Sequence, residues 1–287
     1  MKLDLQYKKL LESLTSQSPL FGTQIKHNMV EGFPLLSSLT IPLSSIATEL
    51  KWMLKGDNNI KYLVDNNCDL WNNVAYKIYV SDINDIKTQM EGNDTLKKDY
   101  SYLIQNQPYS KEEYILKIKE DQPLSNDFSF SQLWGNVGPI YGRQWTHRGV
   151  NQMKSLVNNI KDRSSFPLIV SAWNIFDFQY MKIYPNHYSF QCSINNGRLS
   201  LLYNQHSVEV IEELPHTLAL YGFLLLVLCK ETGLKPGALI GNLGDVYINP
   251  NNLNLIKNIN NQEPINLPQI SINNLEIEKY TFDYSIE

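Results

Sequence analysis

Tyr188-Ser189-Phe190-Gln191-Cys192-Ser193-Ile194-Asn195-Asn196-Gly197-Arg198-Leu199-Ser200-Leu201-Leu202-Tyr203 is the stretch on which the fold turns. On both sides of Asn195-Asn196-Gly197 the side chains alternate by two, the pattern of strands with one buried face, and Asn-Gly supplies the left-handed residues a tight hairpin needs. Downstream, Pro215 to Thr232 reads as a long apolar helix closed by Gly233 and followed by Pro236-Gly237. Upstream, Phe166 to Trp173 is a short apolar run suited to a buried strand. Further towards the start, Leu3 to Leu14 has helical spacing, and Gln24 to Met29 reads as a strand entering the turn Val30-Glu31-Gly32-Phe33-Pro34. Ser44-Ser45 is expected to cap a helix from Ile46 to Leu54, stopped by Gly56-Asp57. Helix, strands, long central helix and strands make an α+β fold, a sheet backed by helices.

From about Asn72 to Phe130 the composition shifts to Lys, Asp, Glu, Tyr and Gln with scattered apolar residues. This predicts a helical insertion, residues 75–132, within a single domain spanning 1–287. The tyrosines gathered there have no basic stripe beside them and read as packing, not as base-stacking platforms. No segment reaches the roughly 20 apolar residues of a membrane span.

The chain has 287 residues, a net charge of −4 and 25 basic residues. Arginine occurs only at Arg143, Arg148, Arg163 and Arg198. Arginine is the side chain best shaped for bidentate phosphate recognition, so this composition argues against nucleic acid as a partner. Cys68, Cys192 and Cys229 are widely spaced and odd in number, which fits a reducing, cytoplasmic setting. No Cys-x-x-Cys or His-x-x-x-His pair suggests a metal.

Five runs, in order, resemble the thymidylate synthase family, which includes the nucleotide hydroxymethylases. They are Glu31-Gly32-Phe33-Pro34-Leu35, Glu49 to Asp57, Gly138-Pro139-Ile140-Tyr141-Gly142-Arg143-Gln144-Trp145, Ile169 to Asn174, and Leu234-Lys235-Pro236-Gly237 with Gly244-Asp245. The resemblance implies a large twisted sheet backed by helices and a homodimer joined through the sheet face. It also implies chemistry in which a cysteine adds to C6 of a pyrimidine nucleotide and C5 attacks 5,10-methylenetetrahydrofolate.

Carried over position by position, the resemblance makes Glu49, Tyr141, His187 and Glu209 the catalytic candidates. Asn186, Gln205, His206, Ser207, Thr217, Asp245 and Tyr247 become the substrate-binding candidates, and Trp71, Glu213 and His216 the cofactor-binding ones. Several of these depart from the family pattern. Asn186, in Tyr184-Pro185-Asn186-His187, stands where the cysteine is expected. Cys192 lies six residues along the same strand, about 20 Å away at the rise of a strand, too far to replace it. Phe166 and Pro167 stand where an arginine pair would cross to the partner subunit, and His206 stands where another phosphate-binding arginine would be. Thr217 replaces the base-reading asparagine, and Tyr247 and Asn249 the ribose-binding His and Tyr. Glu213 replaces a glycine that lets the folate lie close, and His216 an aromatic. Leu275 to Tyr280 resembles the family's C-terminal region.

Two readings follow. One is an enzyme acting on a small molecule other than dUMP or dCMP, by cysteine-independent one-carbon transfer or related acid–base chemistry in a specialised biosynthetic pathway. Glu49, Glu209, Glu213, His206 and His216 would then gather around one cavity. The other is a catalytically inactive homologue kept as a binding or dimerisation module.

Overall fold

A computed structural model of the chain describes residues 2–16, 19–36, 41–146, 149–163, 165–260 and 267–270. The elements are α1 (Leu3–Ser16), β1 (Leu20–Asn28), α2 (Leu43–Leu54), α3 (Lys61–Asp65), α4 (Asn72–Met90), α5 (Asp94–Ile104), α6 (Lys111–Glu120), α7 (Phe130–Trp134), α8 (Gly142–Thr146), α9 (Gln152–Lys161), β2 (Ile169–Ser171), β3 (His187–Asn195), β4 (Arg198–Glu209), α10 (Glu213–Thr232), β5 (Lys235–Tyr247) and α11 (Ile256–Asn260). They form two compact units, residues 1–56, 141–175 and 185–287 in one, and 57–140 and 176–184 in the other.

The first unit is a mixed α+β layer, a five-stranded sheet in the order β1-β5-β4-β3-β2 backed by helices. The hairpin joins β3 to β4 at Asn196-Gly197, whose φ angles of 50° and 72° are both left-handed, as a two-residue turn requires. From the end of β4 the chain crosses through α10 and returns as β5, parallel to β4, because a parallel partner cannot be reached by a tight turn. The inner face of the sheet, including Leu199, Leu201, Tyr203, Leu239 and Leu243, packs beneath α10, which is buried nearly all round from Leu214 to Cys229. At roughly 1.5–3 kcal/mol for each fully buried large apolar side chain, this layer supplies much of the unit's stability. On the other face Gln24 Nε2 donates to Asn242 Oδ1 at 2.9 Å, Asn242 Nδ2 to Asn204 Oδ1 at 3.0 Å, and Asn204 Nδ2 to Ser189 Oγ at 3.0 Å. This row of polar side chains runs across four strands and is half-exposed.

Local departures from the sequence expectation have simple causes. The strand expected from Gln24 begins at Leu20, because β1 continues pairing with β5 as far as Leu20 opposite Val246. Ser44 and Ser45 do not cap α2: the helix starts at Leu43, and its N-cap residue is Pro42, without a side-chain cap. The run at 166–173 gives only three strand residues, and Ile169 and Phe166 are exposed, because β2 is the sheet's edge and pairs on one side only.

The second unit is helical and has its own core. Tyr79 and Tyr114 are fully buried and stack with ring centroids 4.6 Å apart; Trp134 meets Tyr79 edge-on at 5.7 Å. Their hydroxyls are satisfied in place: Tyr114 donates to the Trp134 carbonyl and Tyr79 to Gln107 Oε1, each at 2.9 Å. Tyr79 and Tyr114 are packing residues.

Among the described residues Glu213–Thr232 alone is long and apolar enough to cross a membrane, and it is mostly buried within the fold. The C-terminal run Leu275 to Tyr280 lies outside the described residues.

Candidate functional site

The polar residues of the first unit collect where β3 begins, β4 ends, and the first turn of α10 meets α2. Glu49 lies on the buried side of α2 between Ile46 and Met53 and is 3% exposed. Its Oε2 is 2.6 Å from Nε2 of His216, in the first turn of α10. Burial pulls the His216 imidazole towards neutrality, but the Glu49 carboxylate, its hydrogen bond and the charge of Glu213 outweigh that and raise its pKa. Glu213 Oε2 accepts from the Glu209 backbone N–H at 2.9 Å. Burial raises the pKa of Glu213, opposed by that hydrogen bond and reinforced by the charges of Glu209 and Glu212.

Behind this pair lies a neutral aromatic layer. His187 is buried, its ring stacked 4.2 Å from Tyr141, and its Nδ1 is 3.0 Å from the hydroxyl of Tyr221. Burial pushes its pKa down to about 3, so the ring is uncharged at neutral pH. Burial raises the Tyr141 hydroxyl, which therefore keeps its proton, and the hydroxyl oxygen accepts from Asn186 N at 3.0 Å. Tyr141 has a φ of +35°, in the left-handed region. Its neighbour must be glycine: a Cβ on Gly142 would stand 1.7 Å from the Met53 carbonyl oxygen, so α8 could not rest against α2.

Asn186 is locked between strands: its Oδ1 accepts from Ser207 N at 3.2 Å and its carbonyl from His206 N at 2.9 Å. Gln205 is buried, and its Oε1, closed off from solvent, has no hydrogen-bond partner.

Other candidates lie elsewhere or are already occupied. His206 is exposed and lines a groove of about 670 Å³ with Phe21, Gln24, Tyr188 and Asp245. It does not join Glu49 and His216, because successive strand residues point to opposite faces and Gln205 takes the inner one. Glu209 is 4% exposed and wholly used: Oε2 accepts from Ile211 N at 2.8 Å and Glu212 N at 2.6 Å, Oε1 from Asn249 N at 2.9 Å and Asn252 Nδ2 at 3.4 Å. The expected single cavity of five acid–base groups is therefore a Glu49–His216–Glu213 cluster, with His206 apart and Glu209 clamping backbone. Thr217 is buried and its hydroxyl donates back to the Glu213 carbonyl at 3.0 Å, so its side chain faces its own helix. Tyr247 is half-exposed at the end of β5, opposite Glu209. Trp71 is buried in the other unit, preceding α4. Tyr221 is not among the sequence candidates, although a hydroxyl inside a buried helix signals a polar partner.

The thiols stand apart. Cys192 and Cys229 are buried in β3 and α10, and burial pushes both up to about 12; Cys68 is buried in the other unit. Among the described residues no group of three or more His, Cys, Asp or Glu side chains is arranged to hold a metal ion.

Residues 12–287 match the family model described as thymidylate synthase. The chain belongs to the thymidylate synthase family. A thymidylate synthase of Mycoplasma genitalium is 34% identical to it over 275 residues, covering 95% of this chain and 85% of that protein. One from Aster yellows witches'-broom phytoplasma is 36% identical over 261 residues, covering 90% and 81%. One from Phytoplasma mali is 32% identical over 285 residues, covering 98% and 90%.

These relatives overturn the functional expectation drawn from the sequence. An enzyme acting on something other than dUMP or dCMP, an enzyme other than an ordinary thymidylate synthase, and an inactive binding module all run against relatives that carry the plain name thymidylate synthase. That reading gave the substituted positions 166, 167, 186 and 206 more weight than similarity spread over nearly the whole chain. The residue at 186 is nonetheless asparagine.

Proposed function

We propose that this chain carries out the thymidylate synthase reaction, one-carbon transfer from 5,10-methylenetetrahydrofolate to C5 of deoxyuridylate, in the cytoplasm and as a homodimer joined through the half-exposed face of its sheet. The observation that carries the reading is the agreement of relatives named thymidylate synthase at 32–36% identity. The unpaired amide of Gln205 has the chemistry to pair with a pyrimidine ring once its side chain turns outward, and Asn186 and Ser207 lie on the adjoining strand ends. Glu49, held by His216, is the carboxylate placed to receive a proton from the base. The folate supplies the one-carbon unit when bound. The chemistry at the head of α10 suits its pterin, whose N–H groups need acceptors such as the Glu213 carboxylate next to His216.

Asparagine stands at 186, where the resemblance implies the cysteine that adds to C6, so turnover by the wild type requires a nucleophile other than residue 186. The deciding experiment is therefore direct: incubate the protein with dUMP and 5,10-methylenetetrahydrofolate and measure dTMP and dihydrofolate, in the wild type and in Asn186→Cys. Formation of dTMP by the wild type is the expected result. No product from the wild type, with turnover appearing only in Asn186→Cys, would overturn the assignment of activity while leaving the family and the site in place.

A further inference from the structure

Glu49 and His216 lie 167 residues apart in the chain, on helices that pack against one another, and meet at 2.6 Å. Their environments differ: the Glu49 side chain is 4% exposed and that of His216 is 24% exposed. The buried end of the couple is the carboxylate, and the end that reaches solvent is the imidazole. A buried carboxylate by itself takes up a proton, because burial disfavours its charge. An imidazolium in the first turn of a helix is also disfavoured, because the helix end there is itself positive. The contact thus favours the charge on each group.

Among the described residues, the groups named here leave the couple its proton. Glu213, one turn earlier on α10, adds negative charge beside His216. His187 of β3 is held neutral by burial, and the hydroxyls of Tyr141 and Tyr221 are held protonated for the same reason.

We propose that His216 is a positioning residue for Glu49, fixing the rotamer of the buried carboxylate and keeping it ionised by holding the shared proton at the solvent-reaching end. Loss of that proton at alkaline pH leaves the Glu49 carboxylate facing a neutral ring in place of a charged one. The kinetic part of this inference rests on the reaction proposed above; the structural part does not.

The test has two arms. In the ligand-free full-length protein, histidine ring resonances are followed by NMR from pH 5 to 9, with His216 assigned through His216→Gln. His216 is expected to hold its proton above the pH at which a free imidazole loses it, and Glu49→Gln to lower that midpoint by about one unit or more. An imidazole that titrates like a free one and ignores Glu49→Gln overturns the proposal. In the dUMP assay, His216→Gln keeps a hydrogen-bond donor without a charge, and His216→Phe removes both. Both variants should lower kcat by about 10-fold or more, with little change in KM for dUMP. Both should also lose the alkaline limb of the pH–rate profile, and His216→Gln should remain folded at the assay temperature. An unchanged alkaline limb overturns the proposal, as does a loss of kcat that only follows a loss of Tm. If the wild type does not turn over dUMP, the reaction assignment fails by itself, and the NMR arm still decides the role of His216.

Discussion

Replacing Glu209 with glutamine tests whether this carboxylate holds the backbone together or works on substrate. Glu209→Gln changes no size and removes one acceptor oxygen. In the folded chain Oε2 receives the N–H groups of Ile211 and Glu212, and Oε1 those of Asn249 and Asn252, all in a residue 4% exposed. Whichever way the new amide turns, its NH2 faces two donors. Two hydrogen bonds to a charged acceptor are lost, at about 1.5–3 kcal/mol each, so the expected cost is about 3–6 kcal/mol. That is a large part of the roughly 5–15 kcal/mol by which a native protein is stable. With about 2 °C of Tm per kcal/mol in a chain of this size, thermal unfolding followed by circular dichroism should fall by roughly 6–12 °C. Glu209→Asp keeps the charge but shortens the reach, and should also destabilise. A Tm within about 1 °C of wild type for Glu209→Gln would refute the reasoning, since the displaced N–H groups would then have found water. If turnover vanished while Tm held, Glu209 would be acting on the substrate.

The thiols should be inert in the native protein: a disulfide reagent at pH 8 is expected to label none of Cys68, Cys192 and Cys229, and all three in denaturant, because all are buried and two are held up to about 12. Rapid labelling of any of them in the folded state would contradict that burial. His187, with its pKa depressed to about 3 against 6.5 for an ordinary histidine, should stay neutral by NMR from pH 7 down to 5. Between those two pKa values the unfolded chain binds a proton that the folded one does not, so stability should decline as pH falls through that window. His216 has the opposite sign: its raised pKa stabilises fully below 6.5, and that contribution is lost as pH rises through the folded value, so the two windows do not overlap. Urea denaturation across pH 4 to 7, with a His187 resonance that titrates near 6.5, would refute the first assignment.

How much of the site was legible differs residue by residue. Glu49, Tyr141, His187, Gln205 and Ser207 were named from motifs and gather where β3 begins and β4 ends, against α2 and the start of α8, because a strand or helix carries its residues to a fixed place once the frame is known. The separation of His206 from His216 was also within reach of the sequence. The alternation that buries Tyr203 and Gln205 puts residue 206 on the opposite face. The partner of His187 was not within reach, since Tyr221 lies 34 residues away on another element. The use of Glu209 was equally hidden: its acceptors are filled by N–H groups from 211, 212 and 249, and any carboxylate of its length at that position reads the same in sequence. The functional expectation failed for a different reason, in that single substitutions were weighed without the relatives to set against them.

By itself the sequence determined what is local: the hairpin turn at Asn196-Gly197, the alternation of β3 and β4, the apolar length of α10, and the family through five runs in order. Those properties follow from interactions between near neighbours in the chain, or from direct resemblance. Tertiary structure alone decided which groups meet. A carboxylate or imidazole advertises what it can bind, but whether Glu49 finds His216 and Glu209 finds the backbone depends on how α2, α10 and the sheet pack. That packing is fixed by the burial of apolar surface, and the polar groups are paired only once it is in place.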